Sequence, residues 1–164
     1  MLNLFHSTVY VRIKPERLSV LHVESGNELA DAPVLAIEQK NGKNSVVAVG
    51  HEATTKARLS RITVANGFEH PRTLIADFTV AEQTLKLFVK KVLPRHFFAL
   101  APVLVIHPQS SLEGGLTQVE IRAFAELGIG AGARKVYVWE GPELSKGELH
   151  ELRFSRTSGR LLYP

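Results

Sequence analysis

Cysteine is missing from all 164 residues, methionine and tryptophan occur once each, and aromatic residues make up only 7% of the chain. Without a thiol there is no disulfide framework, no cysteine-held zinc or iron–sulfur cluster, and no thiol nucleophile. Long apolar runs are missing as well. The longest, Phe97 to Ile106, is interrupted by Pro102 and falls far short of the ~20 residues that cross a bilayer. The opening Met1-Leu-Asn-Leu-Phe-His has no basic segment followed by an apolar stretch, so no export signal is visible and a cytoplasmic location is expected. Excess charge is slight: 20 Lys and Arg against 16 Asp and Glu leave +4. The basic residues are scattered, with the densest groups at Lys90-Lys91…Arg95 and at Arg153, Arg156 and Arg160. A scattered excess reads as solvated surface, and no nucleic-acid partner is expected.

What is present describes a folding chain. An apolar fraction of 45% with 22% charged residues is a globular composition and excludes wholesale disorder. The length suits a single domain, since domains most often hold roughly 100–150 residues. Thr8 to Ile13 and Leu18 to Val23 are rich in Val, Ile, Tyr and Leu and flank the turn Lys14-Pro15-Glu16-Arg17. Glu24-Ser25-Gly26-Asn27 marks another turn, an apolar stretch runs from Val34 to Ile37, and Asn41-Gly42 signals a hairpin returning as Ser45 to Val49. Residues 1–50 are therefore expected to form an antiparallel meander, followed by a short Ala-rich helix from His51 to Leu59.

The pattern changes after that point. Ala81, Leu85, Phe88 and Val92 recur at helical spacing within Phe78 to Val92, and Thr79-x-x-Glu82 predicts a capping box at its start. Val103 to Ile106 reads as a buried strand. A second capping box, Thr117-x-x-Glu120, opens a helix with the stripe Val119, Ala123, Phe124 and Leu127, and Gly132 suits a left-handed residue just past its end. Lys135 to Trp139 is the next strand. Strand–helix–strand alternation requires crossovers and parallel pairing. Residues 51–142 are thus a helix and strand crossover part, and residues 143–164 a divergent polar tail in which Ser158-Gly159 turns a small hairpin between Leu152–Phe154 and Leu161–Tyr163. The order of elements is that of a ribonuclease H-like mixed α/β sheet with helices packed on it.

Few residues invite chemistry. The seven histidines show no ligand spacing and read as surface or edge residues. Gly128-x-Gly-x-Gly132 follows a helix and precedes a strand, the reverse of a phosphate-binding turn. Ser110-Ser111 has no base near it in sequence. Asp77, Glu82 and Glu120 are the carboxylates that a two-metal, ribonuclease H-like nuclease would need, but two of them complete capping boxes. The loop Leu93 to Pro102 is unusual because connecting loops are mostly polar. This one carries Phe97, Phe98 and Leu100 beside Lys90, Lys91 and Arg95. Two readings stand: apolar tips with basic neighbours for contact with a membrane face or partner, or an extension of the following strand packed in the core. Met1 to Phe5 is a candidate second anchor.

Four segments resemble the MreB family, the bacterial actin-like, rod shape-determining proteins. They are Val46-Val-Ala-Val-Gly-His-Glu-Ala53, Leu74-Ile-Ala-Asp-Phe-Thr-Val-Ala-Glu82, Gly115-Leu-Thr-Gln-Val-Glu-Ile-Arg-Ala123 and Gly130-Ala-Gly-Ala-Arg-Lys-Val-Tyr-Val138. They come in the family's order and span about residues 34 to 142. The resemblance implies the first large subdomain of the actin-like ATPase fold, cytoplasmic and peripheral on the inner membrane face, with the 93–102 loop at the family's membrane-contacting position. It also places Glu120 where the family's water-orienting glutamate lies, although the capping box explains Glu120 without catalysis.

The departures from the family set the functional expectation. Counting back from Val9-Tyr10-Val11 puts Met1, Asn3 and Leu4 at the first phosphate loop, Asp-x-Gly-Thr in the family. Glu140-Gly141-Pro142 occupies the Glu-Glu-Pro position, and no Gly-rich second loop follows. A phosphate cradle needs glycines for close backbone approach and an acidic residue for the hydrated metal. The expectation is a non-catalytic MreB-like half-fold without cofactor or metal, acting as an interaction module in cell-shape or cytoskeletal processes. Its expected partner is an actin-like filament protein or a second copy of itself. The alternatives are an ATP-binding protein completed by another chain or by dimerisation and, less favoured, the nuclease.

Overall fold

The computed structural model describes residues 6–97, 100–110 and 113–164. Its strands are β1 (Thr8–Lys14), β2 (Arg17–His22), β3 (Glu28–Asp31), β4 (Val34–Lys40), β5 (Lys43–Val49), β6 (Ile62–Asn66), β7 (Val103–Pro108), β8 (Lys135–Glu140) and β9 (Arg160–Tyr163). Its helices are α1 (His51–Thr55), α2 (Phe78–Val92), α3 (Gln118–Gly130) and α4 (Lys146–Glu151). The main sheet has the order β3-β2-β1-β7-β8-β9. β1, β7 and β8 run parallel, while β2, β3 and β9 pair antiparallel at its two sides.

Strict alternation along these strands makes two cores. Val9, Val11 and Ile13 of β1, Leu104 and Ile106 of β7, and Val136 and Val138 of β8 face α2 and α3. Tyr10, Val105 and Trp139 point the other way, toward Leu144, Leu149 of α4 and Phe154. Strands covered on both faces read as nearly continuous apolar runs, and β7 (Val-Leu-Val-Ile-His-Pro) is of that kind. The crossover helix α3 ends in a Schellman closure: Ala133 N–H bonds the Gly128 carbonyl and Gly132 N–H that of Ile129, with Gly132 at φ 102°. Gly128 itself lets the helix sit on β8, since a Cβ there would fall 2.5 Å from a Val136 methyl.

The expected meander does not run through residues 1–50. It stops at Asp31, and β4 and β5 join β6 in a separate three-stranded antiparallel sheet of order β5-β4-β6. Pro33, which has no N–H for a ladder, lies between the sheets. The Asn41-Gly42 hairpin forms as expected, with φ of 51° and 72° at its central residues. α1, shorter than expected and continued by a 3-10 turn at Lys56–Arg58, lies against this sheet.

Four further expectations are corrected. The cap of α2 is Asp77, whose Oδ1 accepts the Val80 N–H at 3.0 Å; Thr79 lies inside the first turn, and no Thr79–Glu82 box forms. Val119 is 79% exposed: five residues at about 100° each put it about 140° around α3 from buried Phe124. His22 and His107 are buried rather than peripheral. His22 is bonded to Ser7 and Ser25 hydroxyls at 3.1 and 2.7 Å and lies 3.2 Å from Glu24, while burial lowers its pKa against the pull of Glu24. Finally, the tail forms no hairpin of its own. Ser145-x-x-Glu148 makes a capping box that starts α4, and β9 pairs with β8 instead of with Leu152–Phe154. The reason is burial: Leu149, Leu152 and Phe154 are consumed in covering the Trp139 face of the sheet.

Candidate functional site

Ligand-binding turns in sheets with parallel strands gather at the strands' carboxyl ends. Here those ends are the turn after β1, Gln109-Ser110 after β7, and Gly141-Pro142-Glu143 after β8. The turn after β1 is Lys14-Pro15-Glu16-Arg17, closed by the pairing of Lys14 with Arg17. It contains no glycine and no aspartate. The Pro15 carbonyl accepts a 2.8 Å hydrogen bond from the Asn66 side chain at the end of β6, so the small sheet braces it. Met1, Asn3 and Leu4, where the first phosphate loop was expected, lie outside the described residues. In the structure Val9-Tyr10-Val11 belongs to β1 itself, so the turn that follows it is the one at a strand's carboxyl end.

Polar residues around these ends are engaged with one another. Arg12 reaches Glu28 at 2.6 Å and Glu143 at 3.2 Å, and Gln109 donates to the same Glu143 oxygen at 3.3 Å. Bonds from Gln109 and Arg12 hold the Glu143 carboxyl below its usual range. A shallow hollow of about 420 Å³ at this end is bordered by Lys14, His107, Gln109, Glu140 and Glu143.

The carboxylates singled out in the sequence occupy separate posts. Glu120 is the N3 residue of the Thr117 capping box: its Oε2 accepts the Thr117 N–H at 2.8 Å and the Thr117 hydroxyl at 2.9 Å, while Thr117 Oγ1 accepts the Glu120 N–H at 3.2 Å. Burial tends to raise its pKa, but bonds from the Thr117 backbone and from the Thr73 and Thr117 hydroxyls outweigh it and lower the value. Asp77 caps α2. Glu82 leans over α3, where a Cβ on Gly130 would collide with its carboxylate. Among the described residues no group of three or more His, Asp or Glu is placed to hold a metal ion.

The 93–102 loop leaves α2 at Leu93, makes a 3-10 turn at Arg95–Phe97 and enters β7 at Val103. Lys90, Lys91 and Arg95 are exposed, and Leu100 is half-buried. Leu100 and Lys90 meet in a groove of about 370 Å³ with Val89, Leu93 and Pro102. Phe98 lies outside the described residues, as do Met1 to Phe5. Phe97 is placed only by the backbone of the turn. No described helix is long and apolar enough to cross a membrane.

Two features escaped sequence reasoning. The Tyr10–His107 pair joins residues 97 positions apart, which no local spacing reveals. The Ser145-x-x-Glu148 signature that builds α4 was legible, but the polar composition around it obscured the helix.

Comparisons place this architecture among known proteins. The family model described as MreB/Mbl protein matches residues 17–145. The cell shape-determining protein MreB of Pasteurella multocida is 38% identical over 130 residues, covering 76% of this chain and 35% of that protein. The cell shape-determining protein Mbl of Bacillus subtilis is 29% identical over 127 residues, covering 77% and 36%. The chain thus spans about 35% of the length of the curated relatives it matches. Among solved structures, MreB5 of Spiroplasma citri bound to ADP superposes with a TM-score of 0.62 at 17% identity, over 82% of this chain and 38% of that one. A non-polymerising MamK variant bound to AMPPNP gives 0.60 at 15% identity, over 81% and 40%. At such identities the structural likeness establishes the fold: an actin-like mixed sheet with helices packed on it.

Proposed function

The chain belongs to the MreB/Mbl family, and from that premise we propose that it acts as a non-catalytic interaction module of an actin-like, cell-shape cytoskeleton. It binds an actin-like filament protein or a second copy of itself and turns over no nucleotide. The observation that carries this reading is the turn after β1. A phosphate cradle requires backbone N–H groups brought close to the anion by glycines. Lys14-Pro15-Glu16-Arg17 offers instead a proline, which has no N–H, and fixes its carbonyl to Asn66. The tail beyond the matched residues supports the same reading. It places α4 on one face of the sheet and β9 along the edge of β8, so this subdomain completes its own core.

A peripheral membrane contact through the 93–102 loop belongs to the proposal. Exposed Lys90, Lys91 and Arg95 supply attraction to anionic headgroups, and Leu100, with Phe97 and Phe98, supplies the apolar part. So few residues bind weakly alone and gain by assembly.

A second reading has one observation in its favour: the matched structures hold ADP and AMPPNP. It makes the chain part of an ATP site completed by another subunit. Calorimetric titration with Mg-ATP separates the two, and saturable binding by the purified chain would remove the leading one. For the loop, Phe97→Asp with Phe98→Asp is expected to abolish sedimentation with anionic liposomes while leaving the melting temperature unchanged. Equal loss of both would make the loop part of the core.

A further inference from the structure

Tyr10 and His107 lie on neighbouring parallel strands beneath the segment that leads into α4. They are 2% and 3% exposed, their rings stack with centroids 5.9 Å apart, and the Tyr10 hydroxyl is 2.6 Å from His107 Nδ1. The Leu144 N–H also reaches the Tyr10 oxygen, at 3.3 Å. A backbone N–H can only donate, so the phenol oxygen accepts from Leu144 and its own hydrogen is left to point toward Nδ1 when the ring is neutral. In that closed arrangement Nδ1 is the acceptor of the pair. The Gly141 backbone is the histidine's other partner. The pair thus links β1 and β7 to both ends of Gly141–Leu144.

That segment holds more than itself. Its Pro142 carbonyl accepts the Trp139 indole N–H at 2.9 Å. Leu144 and Leu149 cover Trp139 and Val105, and Phe154 lies 5.7 Å from the indole. If the segment lifts, α4 lifts with it and the Trp139 face of the sheet meets water.

We propose that Tyr10 and His107 form an acid-released latch that holds Gly141–Leu144, and through it α4, against the sheet. A proton on Nδ1 would oblige the hydroxyl hydrogen to rotate away from the ring, leaving it without its partner in a buried site. It would also leave a buried cation, which is costly without a close partner. The charged and titratable groups around it are Arg12 and Lys14 from β1, Glu140 from β8, Glu143 of the segment itself and Glu148 on α4. Glu143 favours the imidazolium but is engaged by Arg12 and Gln109, and Arg12 opposes it. Burial is the largest influence and lowers the His107 pKa from 6.5, against the Gly141 carbonyl and Glu143. A lowered pKa in the closed form means that opening takes up a proton. The latch is therefore fully closed above about pH 6.5 and weakens as pH falls below it.

Trp139 is the single tryptophan of the chain, so its emission reports on the latch directly. Lowering the pH from 8 to 4.5 is expected to shift that emission to the red with a midpoint below 6.5, while the far-ultraviolet circular dichroism of α2 and α3 persists. Tyr10→Phe removes the hydroxyl that stabilises the neutral ring and should move the midpoint upward by about one pH unit, the equivalent of one ordinary hydrogen bond. His107→Gln cannot titrate and should abolish the step. His22→Gln, at the other buried histidine, should leave the step in place. The proposal fails if His107→Gln retains the step, if His22→Gln removes it, or if helical signal is lost in parallel with the emission change.

Discussion

The six-stranded and three-stranded sheets share a chain but are built to different standards. The larger sheet is covered on both faces, and Trp139, Phe68, Phe88, Phe124 and Leu104 are buried to within 2% of completely. The smaller one buries one large side chain, Leu35, beside the small Ala36, Ala48 and Ala53, with Val34, Ile62 and Val64 half covered. Along β5 the first five residues are exposed, and Val46 and Val47 are 38% and 36% open. Burying a large aliphatic or aromatic side chain stabilises by about 1.5–3 kcal/mol, against about 0.8 kcal/mol per methylene-sized group. The larger sheet is therefore the source of stability and the smaller one a light platform carried by it. Regions with few buried apolar contacts open at low free energy, and those are the regions able to adapt to a partner.

The comparison breaks first in the core of the larger sheet. Phe124→Ala is expected to lower the unfolding free energy by about 3–5 kcal/mol, the usual range for a buried aromatic truncated to alanine, as read from urea denaturation followed by circular dichroism. A loss below about 1 kcal/mol would mean that α3 is not the keystone of this layer.

The joint between the sheets comes next. The Asp31 carboxylate accepts the Ala32 N–H at 2.7 Å and the His51 N–H at 2.9 Å, tying the end of β3 to the starts of β4 and α1. Gly50, at φ 75°, leaves room for it: a Cβ there would strike that carboxylate. Asp31→Ala should cost about 1–2 kcal/mol. The loss should appear as faster amide exchange in β4, β5 and α1, with α2 and β7 unchanged. Uniform acceleration across both sheets would show that they unfold as one unit and that the light platform is not separable.

These contrasts explain what could be foreseen from residue order. The helix Phe78–Val92 and the strands at Val103 and Lys135 were legible because apolar period and capping chemistry act over a few residues. The division into two sheets was not, since the apolar run Val34–Ile37 reads as a strand as well as β1 does, and only its choice of partner separates them. β3 was passed over because Glu-Leu-Ala-Asp has little strand propensity and pairs only along β2. The basic and apolar loop residues stood out as a composition, but their grouping in space could not be read. The two buried histidines were misjudged for a related reason: His22 has a partner in Ser7, 15 residues away, besides its local Ser25, and His107 has one in Tyr10, 97 residues away.

The smallest effect concerns how each layer starts its helices. α3 begins with the reciprocal Thr117–Glu120 box, whereas α1 begins at Gly50, which has no side chain to cap with, and takes only the remote Asp31 carboxylate on its His51 N–H. Glu120→Gln keeps the shape and removes the charge that Thr117 and Thr73 stabilise. The wild-type carboxyl has its pKa lowered from 4.5. Its contribution is therefore present above about pH 4.5 and is lost as pH falls through the lower folded value. Because the group is near solvent, the contribution is a few tenths of a kcal/mol. Between pH 5 and pH 3 the wild type should consequently lose slightly more stability than Glu120→Gln does, with the difference confined to amides in the first turn of α3. An identical acid slope in the two proteins would reduce the box to geometry alone. The better-built layer would then owe its advantage to burial and not to its caps.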